Sequence, residues 1–270
     1  MKKKIIDVEF ETNHIINEIK KYFAENADEN TKAVIGISGG KDSTITAMLC
    51  AIALGKDKVF GVLMPEGEQK DIADSYQVCN VLGIPYQVIN IGESCKSLYK
   101  ELGEGYNLPI VTTNTPARLR MATLYAIAGM INGRVINTCN YSESYVGYET
   151  KYGDGAGDFS ILGNYCVREV LEIGEYVREK YFPELSCYFI SKTPSDGMCG
   201  KTDEDNLGFT YSELDAYILD GTLPNDTNVI RKIYRLHKAS AHKRATIRIP
   251  SICVESRHIE GEDWRSPEWF

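Results

Sequence analysis

Residues 34–43 read V-I-G-I-S-G-G-K-D-S, and this stretch decides the predicted fold of the chain. The apolar run over residues 33–37 is typical of a short buried strand. Three residues with small side chains follow, so the backbone can turn sharply there. A helix is then predicted to open at Asp42, with an apolar face made by Ile45, Met48, Leu49 and Ile52.

A strand, a glycine turn and a helix start in this order form a cradle for an anion. The first N–H groups of a helix have no partner within the helix, and they lie at the positive end of its dipole. Asp42 adds a carboxylate that could hold a metal ion against bound phosphates. The sequence therefore predicts a phosphate-binding loop that ends at Ser43.

Two better known nucleotide loops do not fit this stretch. The Walker A pattern needs a longer spacing than that from Gly36 to Gly40, and it needs Ser or Thr where Asp42 stands. The dinucleotide pattern G-x-G-x-x-G is absent. For the S-G-G segment alone, a plain structural turn between strand and helix stays an alternative.

The composition bounds the class of protein. A chain of 270 residues with 43% hydrophobic residues can build one large α/β domain, and a net charge of −8 with a pI near 5.2 argues against general nucleic-acid binding. No apolar run reaches the roughly 20 residues of a membrane span, and the start of the chain does not resemble a signal peptide. The eight cysteines form no C-x-x-C pair, which favours reduced core residues in a cytoplasmic protein.

Strands and helices alternate along the chain, which predicts an α/β fold with a doubly wound, mostly parallel sheet and helices on both faces. The predicted strands cover residues 33–37, 58–64, 86–91 and 134–138. The predicted helices cover residues 7–29, 71–82, 117–131, 166–180, 211–219 and 225–239, besides the one that opens at Asp42. Residues 141–164 are predicted to be loops, and no linker divides the chain, so we expect one domain over residues 1–270.

Polar segments follow two of the predicted strands. One is the glycine loop, and the other is the stretch Asn137–Glu143. Because the carboxyl ends of parallel strands share one edge of a sheet, we expect both to meet at one site. Two arginines at a predicted helix start, Arg118 and Arg120, and a loop rich in Gly, Asp, Lys and Tyr over residues 147–158 add groups suited to polar or anionic ligands.

The S-G-G-x-D-S loop resembles that of the N-type ATP pyrophosphatases, and the whole motif series resembles the NAD synthetases. The matching segments keep the family order from about residue 30 to residue 250; they are residues 38–43, 117–121, 138–143, 150–158, 194–198, 203–211 and 242–244. The resemblance implies the Rossmann-like fold of the adenine nucleotide alpha-hydrolases. It also implies ATP-dependent amidation of deamido-NAD with ammonia through an acyl-adenylate. It matches the short form of the family, for which no glutaminase domain is expected.

The resemblance also implies roles for individual residues. ATP would be bound by Gly36, Ile37, Ser38, Gly39, Gly40, Lys41, Asp42, Ser43, Gln69, Thr138 and Ser195. Mg²⁺ would be bound by Asp42 and Glu143, and deamido-NAD by Arg118, Lys151, Asp158, His242 and Lys243. Asp154 or Asp158 is a candidate to accept the ammonium proton, with Asp154 counted as catalytic beside the metal ligands. A homodimer with the dinucleotide across the subunit interface is implied as well.

The chain departs from the family pattern at two cations. Leu63 stands where many members have an arginine, and Val167 stands where many have a lysine. Lys41 could supply part of the missing charge. We also expect residues 192–206 to act as a lid that orders over ATP and keeps water away from the adenylate.

Two other functions stay open on the sequence alone. One is another adenylating enzyme with the same loop, such as a tRNA-thiolating enzyme, although the acidic surface and the lack of paired cysteines argue against that one. The other is a nucleotide-binding regulator without catalysis, which the two absent cations favour.

Overall fold

A parallel five-stranded sheet organises the computed structural model, which describes residues 6–69, 72–192 and 202–245. The strands are β1 Lys32–Gly36, β2 Val59–Leu63, β3 Tyr86–Val88, β4 Gly133–Asn137 and β5 Phe159–Ser160. Their order across the sheet is β3-β2-β1-β4-β5. From β1 the chain therefore adds β2 and β3 on one side, and it then crosses over to add β4 and β5 on the other side of β1. This switch point opens a ligand crevice beyond the carboxyl ends of β1 and β4.

Helices cover both faces of the sheet. They are α1 Val8–Asn26, α2 Lys41–Leu54, α3 Ile72–Leu82, α4 Gly92–Leu102, α5 Pro109–Ile131, α6 Tyr141–Val146, α7 Val167–Tyr181, α8 Tyr188–Ser191, α9 Asp203–Leu207, α10 Tyr211–Asp220, α11 Thr227–Ala239 and α12 Ala241–Arg244. Successive residues of a strand point to opposite faces. Thus Ala33 and Ile35 of β1 pack with α1, α2 and α7, whereas Val34 packs with α5. The predicted fold class is confirmed.

Helix α2 differs from the prediction in one respect. It is buried on almost every side rather than on one face, and its buried residues include Thr44 and Thr46. The sheet, α1 and α7 enclose it, because it runs from the phosphate loop into the centre of the larger core. Its apolar pattern therefore marks a core helix, not a half-exposed one.

Several elements differ from the predicted ones in position or extent. Helix α5 begins at Pro109 instead of residue 117 and carries Pro116 inside it. Proline is common in the first turn of a helix, whereas an internal proline removes one hydrogen bond. The position of Pro116 therefore predicts a later helix start, although the helix begins at Pro109. Helix α4 was not predicted, and α9 overlaps the end of the predicted lid.

The predicted loops over residues 141–164 contain two short elements, α6 and β5. Neither is long enough to show a helical or strand period in the sequence. Strand β3 is shorter than predicted, and it lies at the edge of the sheet with Tyr86 and Val88 exposed.

The cysteines largely follow the expectation of reduced core residues. Cys50, Cys79, Cys95, Cys139 and Cys166 are free and buried, and Cys187 is free and exposed. No helix within residues 6–69, 72–192 and 202–245 combines the length and the apolar content that a bilayer crossing requires.

Candidate active site

The glycine loop joins β1 to α2, and its shape requires glycine at one position. Gly39 has a φ of +75°, and a Cβ atom there would lie 2.7 Å from Cβ of Asp74 and 2.9 Å from the backbone nitrogen of Ser75. A side chain at Gly39 would thus meet both backbone strain and helix α3. Gly40 precedes α2 with a φ of −85°, and no side chain caps the start of that helix. The first N–H groups of α2 are therefore open to an anion.

Two serines hold the loop in shape. Ser38 Oγ and Ser43 Oγ lie 3.1 Å apart, and Ser43 Oγ also donates to the carbonyl of Gly40 at 3.1 Å. The backbone N–H of Gly40 donates to Ser38 Oγ at 3.2 Å. The loop is consequently preorganised by its own short side chains before a ligand arrives.

The segment after β4 meets this loop, as the sequence predicted. Asn140 precedes α6 and forms a capping box with Glu143: Glu143 N donates to Asn140 Oδ1 at 3.0 Å, and Asn140 N donates to Glu143 Oε2 at 3.1 Å. The amide nitrogen of Asn140 donates to Asp42 Oδ1 at 3.2 Å. Asn140 therefore links the two strand ends. It was missed as a site residue, although an Asn followed three positions later by Glu is a helix-start signal.

Charged groups are packed closely around Asp42. Lys41 Nζ donates to Asp42 Oδ2 at 2.7 Å, and only 4% of the lysine side chain is exposed. Burial alone would lower the pKa of Lys41, but neighbouring carboxylates, led by Asp42, outweigh it and raise that pKa, so the side chain is a fixed ammonium. Burial raises the pKa of Glu143, and the negative charge of Asp42 raises it further.

The site fits a divalent cation whose other ligands come from a bound nucleotide. The negative charge of Asp42 acts on the carboxyl group of Glu143, and the buried hydroxyl of Tyr211, which the charges of Glu143 and Asp203 reach, has no hydrogen-bond partner among the residues described. Residues 6–69, 72–192 and 202–245 contain no group of three or more His, Cys, Asp or Glu side chains that could hold a metal ion. Mg²⁺ commonly takes one or two carboxylates and completes its shell with water and substrate phosphates, and this donor set is of that kind.

The remaining predicted ATP contacts follow strand ends along the chain or lie outside the described residues. Thr138 follows β4 directly and is half-buried, and Gln69 lies half-buried in the segment after β2. Ser195 lies outside the described residues. The two positions without the family cations, Leu63 and Val167, are buried apolar residues.

Arg120 was not assigned a role, yet it reaches the end of β2. Its Nε donates to the carbonyl of Met64 at 3.0 Å, one residue beyond Leu63. Burial lowers the pKa of Arg120, and the charges of Glu66 and Asp154 partly offset this. A guanidinium from α5 therefore stands beside the strand end where the chain has no arginine of its own.

A second group of basic side chains gathers around the middle of α5 and at α12. Arg118 Nε donates to the carbonyl of Lys151 at 3.2 Å, Lys151 Nζ donates to the carbonyl of His242, and Lys243 Nζ donates to the carbonyl of Gly147 at 2.7 Å. We call Arg118, Lys151, His242 and Lys243 the cationic cluster. The structure thus brings together four of the five residues predicted to bind deamido-NAD.

The two aspartates of the 147–158 loop have structural partners. Asp158 accepts hydrogen bonds from Val135 N at 2.7 Å and from the Tyr125 hydroxyl at 3.1 Å. Asp154 is solvent-exposed and accepts one from Thr150 N at 3.0 Å. Both help to shape the loop beside β4.

A doubly wound parallel sheet, with a glycine loop and an open helix start at its switch point, defines a nucleotide-binding α/β protein. The model of the NAD synthase family matches residues 11–247. The chain therefore belongs to the NAD synthase family, which confirms the prediction from the motifs.

Individual relatives agree with this assignment. The NH(3)-dependent NAD(+) synthetase of Methanocaldococcus jannaschii is 36% identical over 260 residues, which cover 88% of this chain and 96% of the relative. Among solved structures, the NMN synthetase of Francisella tularensis has a TM-score of 0.81 at 30% identity and is matched over 92% of this chain and 100% of its own. The NH3-dependent NAD synthetase of Campylobacter jejuni has a TM-score of 0.72 at 28% identity, over 92% of this chain and 100% of its own.

Proposed function

We propose that this chain amidates deamido-NAD with ammonia at the expense of ATP, giving NAD, AMP and pyrophosphate. One observation carries the proposal beyond family membership: the open helix start after the glycine loop meets the carboxylate pair of Asp42 and Glu143 through Asn140. This arrangement places anion donors and metal ligands at one point, which cleavage of a nucleoside triphosphate requires.

The chemistry has two steps. An oxygen of the nicotinate carboxylate attacks the α-phosphorus of ATP, a new O–P bond forms, and the bond to the β-phosphate breaks as pyrophosphate leaves. Ammonia then attacks the carbonyl carbon of the acyl-adenylate, loses a proton, and expels AMP. A free carboxylate resists amidation because its oxygen is a poor leaving group, and adenylation corrects this.

The chain's own groups would act mainly on charge and position. The N–H groups of residues 38–43 and the start of α2 would stabilise the leaving pyrophosphate. Asp42 and Glu143 would hold Mg²⁺, which when bound supplies positive charge at the phosphates. Holding two anionic substrates in line is the other large contribution.

We assign the second substrate to the cationic cluster. Its side chains are bonded to main-chain carbonyls, and those donors can turn to phosphate or carboxylate oxygens of a dinucleotide. Asp158 would position the loop rather than bind substrate, because both its oxygens already have partners. Asp154, exposed beside the crevice, is our candidate for the proton acceptor, and Arg120 supplies a cation near the end of β2.

A second substrate deserves the same test. The solved structure with a TM-score of 0.81 is an NMN synthetase, whose product is a mononucleotide. Amidation of the corresponding nicotinic acid mononucleotide would use the same phosphate loop and fewer contacts of the cationic cluster. The curated NAD synthetase relatives, such as that from M. jannaschii, favour the dinucleotide.

One assay separates these candidates. The full chain is incubated with ATP, Mg²⁺ and ammonium, together with either deamido-NAD or nicotinic acid mononucleotide, and AMP, NAD and NMN are quantified. The proposal expects AMP and NAD in equal amounts, with a higher kcat/KM for the dinucleotide. A higher value for the mononucleotide supports the second candidate, and nucleotide binding without AMP supports a regulator.

We further propose a homodimer and a single domain. Apolar side chains near the turn between α4 and α5 are exposed, with Leu102 50%, Leu108 58% and Ile110 68% exposed, and a second copy of the chain would cover them. Light scattering coupled to size-exclusion chromatography tests this, and a monomer at micromolar concentration contradicts it.

The lid over residues 192–206 and the cytoplasmic location stay predictions, and residues 193–201 of that lid lie outside the described residues.

A further inference from the structure

Lys41 is the least expected residue of the phosphate loop, because it is a buried cation paired with a carboxylate of the same loop. Its ammonium lies 2.7 Å from Asp42 Oδ2 and 5.7 Å from the centre of the Tyr211 ring. A buried ammonium is costly unless it is paired, and here the pairing partner is the proposed metal ligand itself.

The surroundings of Lys41 are acidic. Asp42 is in contact with its ammonium, and Glu143 and Asp203 lie near enough to act on it electrostatically. Tyr211, 4% exposed, contributes the face of its ring, and its hydroxyl has no partner among the residues described. Lys41 is therefore a buried cation among acidic side chains, with Asp42 in direct contact.

We propose that Lys41 is a resident counter-ion: it occupies Asp42 in the nucleotide-free protein and makes a divalent cation bind weakly until ATP brings its phosphates. A metal ion at Asp42 must compete with an ammonium already bound to Oδ2 and must also approach a like charge. ATP changes this balance because its phosphates add negative charge and metal ligands. The metal accordingly enters with the nucleotide. This inference rests on the proposed metal role of Asp42 and Glu143, but not on the identity of the second substrate.

Direct binding of Mn²⁺ to the full chain without nucleotide tests the proposal, by titration calorimetry or by the electron paramagnetic resonance of free Mn²⁺. Lys41→Met removes the charge and keeps the length of the side chain. We expect this variant to bind Mn²⁺ about tenfold or more tightly than the unaltered protein, because a competing charge near one ligand is gone. Lys41→Arg keeps the charge and should stay within about threefold.

Lys180→Met is the matched control. Lys180 also pairs with a carboxylate, Glu9 at 2.9 Å, and lies 5.0 Å from the centre of a tyrosine ring, but on α7 at the surface. Its loss should leave Mn²⁺ affinity unchanged. Adding Asp42→Asn to the Lys41→Met variant should abolish the gain in affinity.

Either of two results for Mn²⁺ affinity overturns the proposal. One is Mn²⁺ affinity in Lys41→Met that is equal to or weaker than that of the unaltered protein. The other is an equal gain in the Lys180→Met control. If Lys41→Met does not fold, Lys41→Gln is tested with the same expectation. If neither variant folds without metal, refolding on addition of Mn²⁺ supports the proposal. Failure of Mn²⁺ to restore folding contradicts it. Because the binding experiment contains no substrate, its result can be interpreted even if the proposed reaction is wrong.

Discussion

The phosphate loop and the cationic cluster both offer hydrogen-bond donors to anions, but they are built in opposite ways. The loop uses main-chain N–H groups and serine hydroxyls within six residues, and its internal bonds hold it in shape. The cationic cluster draws long side chains from three distant segments, and these are bonded to main-chain carbonyls.

The difference predicts how each region contributes to function. The main-chain donors of the loop are already held in place, so under the proposed function they would act on the transition state without a rearrangement of the backbone. A donor of the cationic cluster must break its hydrogen bond to a main-chain carbonyl before it binds substrate. The net free energy gained from such an exchange is only about 0.5–1.5 kcal/mol per neutral hydrogen bond, or more when one partner is charged. Substitutions in the loop should thus affect kcat, and substitutions in the cluster should affect KM.

The largest expected effect belongs to Asp42→Asn. Loss of the carboxylate removes a proposed metal ligand at the leaving pyrophosphate, so we expect kcat to fall about 100- to 1,000-fold. Steady-state AMP formation measures it. Glu93→Gln, which neutralises an exposed acid on α4, is the control and should keep full activity. A fall of less than about threefold for Asp42→Asn would remove the metal role from the account.

Replacement of single glycines separates loop geometry from loop chemistry. Gly39→Ala should be destabilised by at least about 1–2 kcal/mol, because a left-handed alanine is strained and its Cβ would overlap Asp74. Gly40→Ala is the matched control, since its nearest neighbour would be the flexible Ser38 Oγ at 3.3 Å. Thermal unfolding and ATP titration of both variants check this, and equal melting temperatures would contradict the described turn.

Arg118→Met sharpens the comparison from the other side. A charge-assisted bond contributes about 1.5–3 kcal/mol, so we expect the KM for deamido-NAD to rise about tenfold or more while kcat stays within about threefold. Arg231→Met, an exposed arginine of α11, serves as the control. A change confined to kcat would show that Arg118 acts on the chemistry instead.

His242→Ala should have the smallest effect. The exposed imidazole contacts only the carbonyl of Ala239 at 3.0 Å among its described hydrogen bonds, so we expect at most about a tenfold rise in the KM for deamido-NAD. The same assay measures it, with nicotinic acid mononucleotide as a second substrate. An unchanged KM for the dinucleotide would contradict the proposal that His242 binds deamido-NAD.

The sequence predicted the parts of this molecule that depend on neighbours along the chain. The strand, the glycine turn and the helix start are local, and an apolar strand before Ser-Gly-Gly leaves few other conformations. The expectation that residues 138–143 meet this loop was also correct, because it follows from the geometry of any parallel sheet.

The parts that failed depend on tertiary packing or on short segments. Burial of α2 on almost every side reflects what surrounds it and not its own pattern. Helix α6 is only six residues long and is stabilised by a capping box, which the spacing of apolar residues in the sequence does not reveal. The bond from Lys41 to Asp42 was missed because sequence spacing does not say which way a long side chain turns.

Transfer of an oxygen isotope tests the central claim most directly. Deamido-NAD labelled with oxygen-18 in its nicotinate carboxylate is converted by the full chain in ordinary water, and the AMP is analysed by mass spectrometry. If the carboxylate attacks the α-phosphorus of ATP held at residues 38–43, about one labelled oxygen should appear in AMP for each NAD formed, and Asp42→Asn should slow label transfer and NAD formation together. NAD formed alongside unlabelled AMP would contradict the account.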